Sequence, residues 1–125
     1  IYCKIVAMAS QDFYIKTPLW FDEFYVSLTK REVYSIKTAE VIKHSGKSRE
    51  HLSRLFKDAT GQTLGAYLND LRIEHAAAML TTTYFDIIDI ALESGFENLS
   101  TFYHLFKKKK GMSPKQYRTR YSFIY

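Results

Sequence analysis

The chain has 125 residues, 46% of them hydrophobic and 25% charged, with a formal net charge of +5 at pH 7. This composition supports a folded core and excludes a disordered polymer, and no apolar run approaches the ~18 residues of a membrane span. The single cysteine, Cys3, cannot form an internal disulfide, and the sequence has no Cys–His cluster for zinc, which suits a reducing cytoplasm. We expect a cytoplasmic protein with no metal, no cofactor and no membrane partner.

Residues 1–17 show no regular hydrophobic period, and they fit either a strand or a linker. Because the chain begins with Ile1 rather than Met, we interpret it as a fragment of a longer protein, with 1–17 as a linker or the end of a preceding domain. From Pro18 the apolar residues recur at helical spacing, which predicts a packing helix that ends near Lys30.

Three further helices are predicted up to residue 80. Thr38 is placed as the cap of a short helix that reaches His44. Ser48 is a strong N-cap candidate for the next helix, which Gly61 can end. A long helix is predicted over 63–80, because its apolar stripe recurs every three or four residues.

The C-terminal part follows the same order. Asp86 is placed as the cap of a short helix, and Asn98 as the cap of a helix that ends at Gly111. Ser113 and Pro114 begin a last short helix, with the proline at its first position. Since the chain has only two prolines and five glycines, we predict an all-α fold of about seven helices and no sheet of consequence.

An internal repeat organises the sequence. At a displacement of 50 positions, similar residues meet: Ser48 with Asn98, Leu52 with Phe102, Leu55-Phe56-Lys57 with Leu105-Phe106-Lys107, Gly61 with Gly111, and Tyr67 with Tyr117. Each copy has a short helix, a glycine turn and a capped helix, which is typical of a helix-turn-helix unit. An ordinary helical bundle is the alternative, but two copies with basic outer faces favour DNA binding.

The first capped helix offers four candidate base contacts, Arg49, Glu50, Ser53 and Arg54. Arg54 is the first candidate for a bidentate contact to guanine, and Glu50 can accept from cytosine or orient the arginines. Ser48 and Lys57 are the candidate phosphate contacts of this unit. The alternative is a solvated helix face with charge pairs one turn apart.

The second capped helix offers Leu99, Ser100, Tyr103 and His104 as candidate base contacts. Leu99 fits either a contact to thymine methyls or packing at the start of the helix. His104 has the repeat position of Arg54, and it fits base reading and an ordinary surface role equally.

Four consecutive lysines, 107–110, end this helix. Because side chains point all round a helix, not all four can face DNA, and we expect Lys107 and Lys108 to contact phosphates together with Asn98. The alternative is a solubilising run that favours the helix C-terminus.

These stretches resemble the C-terminal DNA-binding domain of AraC/XylS-type transcription regulators, from about Ile36 to Arg120. The resemblance is carried by Ser48-Arg49-Glu50-His51-Leu52-Ser53-Arg54-Leu55-Phe56-Lys57, by the helix from Leu71-Arg72-Ile73 to Leu80, by Ile87-Ile88-Asp89-Ile90-Ala91 with Gly95-Phe96, and by Phe106-Lys107 with Gly111-Met112-Ser113-Pro114. The segment from Gly111 to Arg118 is its most specific part.

The resemblance implies a DNA-binding domain over 18–125, with helix-turn-helix subdomains at 18–62 and 84–121 and a linker helix at 63–80. Such a domain binds adjacent major-groove segments on one face of double-stranded DNA. The resemblance further implies an effector-binding domain outside this chain, and RNA polymerase as a second candidate partner of either an activator or a repressor.

Position by position, the resemblance assigns base reading to Glu50, Ser53 and Arg54 in the first unit and to Ser100 and His104 in the second. His104 stands where the family often has arginine or a larger polar side chain, which alters the base preference expected of the second unit.

Lys110 is a second departure, since the family usually has an aromatic residue there. We expect weaker packing at this helix end, and a second unit that is less stable or binds less tightly. The Pro18-Leu19-Trp20-Phe21 segment followed by residues 48–52 resembles family members that control oligosaccharide use, so carbohydrate use is the process we expect to be regulated.

Two other functional classes are the alternatives to DNA binding. An enzyme is disfavoured because the sequence has no glycine-rich phosphate loop, no metal-ligand spacing among its histidines and no nucleophile–base set. A helical protein-interaction domain is the other alternative. Salt dependence separates it from DNA binding, because the logarithm of DNA affinity falls linearly with the logarithm of salt concentration.

Overall fold

The computed structural model describes residues 2–4 and 14–123. Two three-residue strands, β1 (Tyr2–Lys4) and β2 (Tyr14–Lys16), pair antiparallel with Cys3 opposite Ile15. Eight helices follow within the described residues: α1 (Leu19–Ser27), α2 (Arg31–Tyr34), α3 (Thr38–Ser45), α4 (Arg49–Thr60), α5 (Leu64–Thr82), α6 (Ile87–Glu93), α7 (Leu99–Lys110) and α8 (Pro114–Tyr121). The all-α prediction is confirmed, and α2 is the helix that the sequence did not predict.

The described residues form two compact units, one up to Leu68 and one from Asn69 onward, with the boundary inside α5. Within the described part of the chain, no helix is both long and apolar enough to span a membrane. The interpretation of residues 1–17 as a linker falls largely outside the described residues, and it stays a prediction.

The first unit packs around aromatic residues of α1 and α4. Phe21 and Phe56 are fully buried, with ring centroids 6.0 Å apart, and Leu28, Val41, Leu52 and Leu68 are fully buried as well. Burial of a side chain of this size stabilises a fold by about 1.5–3 kcal/mol. This core fixes one face of α4 and leaves the opposite face to solvent.

The second unit has its own core. The buried residues come from the second part of α5, from α6, from the turn after α6 and from α7, namely Ile73, Ala76, Ala77, Leu80, Ile90, Ala91, Phe96, Phe102 and Phe106. The second turn has one residue more between its glycine and the helix cap than the first turn has, and Phe96 is that residue. Phe96 is 4% exposed, and its ring centroid lies 5.2 Å from that of Phe102. The insertion therefore adds a ring to this core.

Several helix ends differ from the sequence-based expectations. Thr38 is the first residue of α3 rather than its cap, because Lys37 has the extended cap conformation without a side-chain bond. Asp86 stands at the N-cap of α6 but its side chain makes no cap hydrogen bond. The long helix continues through Thr82, where the threonine hydroxyl donates to the Ala78 carbonyl at 2.8 Å. The hydroxyl forms its hydrogen bond within the helix, so the helix tolerates threonine in a last turn that the sequence was expected to break.

Candidate nucleic-acid interface

The helix α4 is fixed at both ends by local hydrogen bonds. At its start the Ser48 hydroxyl accepts from the His51 backbone N–H at 3.2 Å. At its end Gly61 has φ of 83°, a left-handed conformation that a side chain disfavours, and its N–H donates to the Lys57 carbonyl. The predicted cap and stop of this helix are confirmed.

The helix α7 repeats these features 50 residues later. The Asn98 side chain accepts from the Thr101 N–H at 3.0 Å, and Gly111 ends the helix with φ of 77°. Phe102 and Phe106 are fully buried, as Leu52 and Phe56 are in α4. Two 12-residue helices thus have the same caps and the same buried face.

The outer face of α4 carries the side chains that were predicted from the sequence to contact DNA bases. Arg49, Glu50, Ser53 and Arg54 are exposed. Neither arginine is ion-paired within the described residues, so the alternative of charge pairs along this face finds no support there. The Lys57 ammonium is exposed and donates to the Gly61 carbonyl at 3.2 Å, so it lies at the C-terminal end of α4.

The outer face of α7 differs in character. Ser100, Tyr103 and His104 are exposed, with Tyr103 41% exposed. Leu99 is half-buried and packs against the core of the second unit, which is the packing role weighed for it from the sequence. Asn98 is exposed at the N-cap.

The lysine run divides into two pairs. The Lys110 ammonium donates to both carboxylate oxygens of Glu74 at 2.9 and 3.0 Å, and the Lys109 ammonium lies 3.3 Å from Asp70 and 3.4 Å from Glu74. Lys107 and Lys108 are exposed. Among the described residues, Lys109 and Lys110 therefore pair with carboxylates of α5, and Lys107 and Lys108 take part in no salt bridge.

The carboxyl of Glu74 responds to these lysines. Partial burial acts to raise its pKa, but the hydrogen bonds and charges of Lys110 and Lys109 outweigh burial and hold the pKa below its usual value. Glu74 is therefore ionised at neutral pH. The Lys110 ammonium also lies 5.9 Å from the ring centroid of Tyr117, so charge contacts act where the resemblance led us to expect an aromatic side chain.

A tyrosine supports each capped helix from the core side. Tyr67 packs edge-on to Phe56 at 5.5 Å, and Tyr117 packs edge-on to Phe106 at 5.4 Å. Burial, with the neighbouring Tyr25 hydroxyl and its hydrogen bond, raises the pKa of Tyr67 to about 12. Tyr67 therefore stays neutral and acts in packing.

Two arginines, Arg118 and Arg72, have structural roles in the second unit that the sequence analysis did not predict. The Arg118 guanidinium donates to the carbonyls of Leu80, Thr83 and Phe85 at 3.0, 3.3 and 2.7 Å. Arg72 is 5% exposed, and burial lowers its pKa while the charge of Glu97 acts to raise it. Arg118 belongs to the most specific motif of the sequence, which was the available signal.

The described residues include no group of three or more His, Cys, Asp or Glu side chains that could hold a metal ion. The chemistry that the site offers is that of hydrogen bonding and positive charge. Guanidinium, hydroxyl, carboxylate and imidazole groups on the two outer faces can pair with base edges, and the lysines with phosphates.

Comparison with known proteins gives the following similarities. A family model described as a helix-turn-helix domain matches residues 41–120. The right origin-binding protein of Escherichia coli K12 is 42% identical over 74 residues, covering 59% of this chain and 26% of that protein. The probable transcription factor PqrA of Proteus vulgaris is 41% identical over 83 residues, which cover 66% of this chain and 68% of that protein. The chain thus spans about a quarter of the length of the first curated relatives that it matches.

A solved structure gives the same indication. It is described as a transcriptional regulator with an AraC-type DNA-binding domain, from Chromobacterium violaceum. The TM-score is 0.65 at 26% sequence identity, over 82% of this chain and 93% of that one.

Proposed function

The chain belongs to the AraC-type helix-turn-helix family of DNA-binding transcription regulators, and we propose that it binds double-stranded DNA sequence-specifically through α4 and α7. The duplicated helix carries this proposal. Each copy is capped by a side chain, ends at a left-handed glycine, buries two large side chains and leaves a polar face to solvent. A helix of 10–12 Å diameter fits a major groove about 12 Å wide, so each exposed face can meet base edges.

Base reading is assigned to the outer face of each helix. In α4, Arg54 donates two hydrogen bonds to guanine, with Glu50 and Ser53 beside it. In α7, Ser100 and His104 have the matching positions, and Tyr103 is exposed next to them. Because Leu99 is half-buried, only part of its side chain is open to a thymine methyl group.

Phosphate binding is assigned to Lys107, Lys108 and Lys57, with the caps Ser48 and Asn98 at the helix starts. Lys107 and Lys108 suit this role because they are exposed, whereas Lys109 and Lys110 bind carboxylates of α5. Each phosphate neutralised by a lysine releases counterions, so these contacts add affinity without sequence preference.

The wider role is also proposed. The two helices read adjacent major-groove segments, and the domain acts within an effector-responsive regulator, with RNA polymerase as partner and carbohydrate use as the controlled process. The family assignment and the resemblance of residues 18–21 and 48–52 to oligosaccharide regulators support this reading. The cytoplasmic location, where such a regulator meets DNA, is proposed on the same basis.

Selection of bound duplexes from a random-sequence pool tests the proposal. Enrichment of one sequence with two conserved segments is expected, together with a linear fall of log affinity against log salt. Failure to retain any duplex at low salt, or salt-independent binding to a protein with no duplex bound, would favour the protein-interaction alternative.

A further inference from the structure

Trp20, Lys47 and His51 form a cluster beside the start of α4. The Lys47 ammonium lies 5.1 Å from the centroid of the Trp20 ring, and the His51 ring meets the same indole edge-on at 5.7 Å. Lys47 and His51 are exposed, and Trp20 is half-buried. The indole thus joins α1 to the turn and to the first turn of the proposed recognition helix.

The position of this cluster relative to the outer face suggests its role. Successive residues of an α-helix turn by about 100°, so His51 lies at one edge of α4, between outward Arg54 and half-buried Leu55. A helix that fills a major groove points its outer face at base edges and its two edges at the phosphates that line the groove. A cation held at such an edge is therefore in a position to contact a phosphate of the DNA backbone.

We propose that Lys47 contacts a DNA phosphate at the edge of α4, and that Trp20 is the positioning residue that holds its ammonium there. The sequence analysis assigned neither residue to the site. A lysine side chain loses up to about 2 kcal/mol of conformational entropy when it is fixed, and an aromatic face that already restrains it lowers this cost. The proposal rests on the proposed DNA-binding function.

Comparison of the two units sharpens the inference. Lys47 follows the turn glycine Gly46, and Phe96 follows the turn glycine Gly95. Phe96 is buried in the core of the second unit, whereas Lys47 is exposed and lies over the indole of Trp20. The residue after the turn glycine therefore fills the core in the second unit and presents a charge in the first.

The test uses the full chain and a fluorescein-labelled duplex of arbitrary sequence, because phosphate contacts are independent of sequence. Anisotropy titrations over a range of salt concentrations compare wild type, Lys47→Gln and the control Lys43→Gln. Lys43 is an exposed lysine of the same unit, paired with Glu40 at 3.2 Å. Thermal melting of each variant shows that it is folded.

Lys47→Gln should reduce the magnitude of the slope of log affinity against log salt by roughly 0.9, which is about an eightfold change in affinity per tenfold change in salt. Lys43→Gln should leave the slope unchanged. Trp20→Phe, with a smaller ring, should weaken binding less than Lys47→Gln, and should weaken it little more when Lys47→Gln is already present.

The outcomes separate this inference from the proposed function. If wild type binds duplex with a steep salt dependence and Lys47→Gln has the slope of Lys43→Gln, the inference is wrong and the proposed function stands. If Trp20→Phe and Lys47→Gln weaken binding independently, Trp20 does not position the lysine. If wild type binds no duplex at low salt, the proposed function itself fails.

Discussion

At the scale of single residues, the lysines at the end of α7 have two kinds of partner. Lys109 and Lys110 stand at the repeat positions of Ala59 and Thr60, which are both buried in the first unit. Their ammonium groups reach Asp70 and Glu74 of α5, and Lys109 stays exposed while Lys110 is half-buried. Charge pairs take the place of buried side chains at these positions, and Lys107 and Lys108 are left as the proposed phosphate contacts.

We predict that Glu74→Gln lowers the stability of the second unit above pH 4.5, the usual pKa of a glutamate, by about 1 kcal/mol or less, since exposed ion pairs are screened by water. Because the pKa of Glu74 is lowered in the folded protein, its contribution is complete above the unfolded value and is lost as pH falls through the folded value. Thermal unfolding of wild type and variant should converge at low pH.

Glu23→Gln, which changes an exposed glutamate of α1, is the matched control and should show no such pH-dependent difference. A Glu74→Gln difference that stays constant from neutral to acid pH would contradict an electrostatic role for this carboxylate.

Arg54 is the residue proposed to set the base preference of α4. We predict that Arg54→Ala costs about 1–3 kcal/mol of binding free energy and relaxes the preference at one base pair, because the bidentate pairing is lost. Lys107→Ala should instead weaken all sequences alike and change the salt slope by about one unit. Selected-sequence profiles of the two variants check this, and an unchanged Arg54→Ala profile would remove Arg54 from the base contacts.

At the scale of elements, α8 closes the second unit onto the end of α5. The last carbonyls of an α-helix have no hydrogen-bond partner within the helix. The Arg118 guanidinium donates to the Leu80 carbonyl in the last turn of α5 and to two carbonyls of the loop that follows. Ser113 and Gln116 fix the start of α8 through a capping box, and Pro114 is its first residue, as predicted. The motif 111–118 therefore acts as a clasp, in that its Arg118 holds α8 to the end of α5 by hydrogen bonds.

We predict that Arg118→Ala destabilises the protein by roughly 2–3 kcal/mol, since hydrogen bonds from a charged donor are worth about 1.5–3 kcal/mol and these carbonyls are partly open to water. Arg120→Ala, two residues on, removes a guanidinium that lies 5.6 Å from the Tyr121 ring and should cost about 0.5 kcal/mol or less. Chemical denaturation measures both, and equal effects would show that Arg118 does not act as a clasp.

At the scale of the whole molecule, two compact units each carry one proposed recognition helix. Adjacent major-groove segments on one DNA face are about one helical turn apart, roughly 10 base pairs. We predict that Arg54→Ala and His104→Ala lose preference at base pairs separated by about that distance. Selection profiles of the two variants measure it, and loss at the same or neighbouring base pairs would argue that only one unit engages the groove.

Features that depend on near neighbours in the chain could be predicted from the sequence alone. The caps Ser48 and Asn98, the stops Gly61 and Gly111, and the buried faces of α4 and α7 follow from hydrogen bonds across three or four residues and from the helical period. The single turn α2 is too short to show a period, so this reasoning missed it.

Pairing between residues that are distant in the chain depends on how the helices pack. Lys110 meets Glu74 from 36 positions away, and Arg118 meets the Leu80 carbonyl from 38 positions away. The contact of Lys47 with Trp20 likewise joins separate helical segments. Such pairs depend on how the helices pack. A hydrophobic pattern with a period of 3.6 residues shows which face of a helix is buried, but not which distant charged residue lies near it.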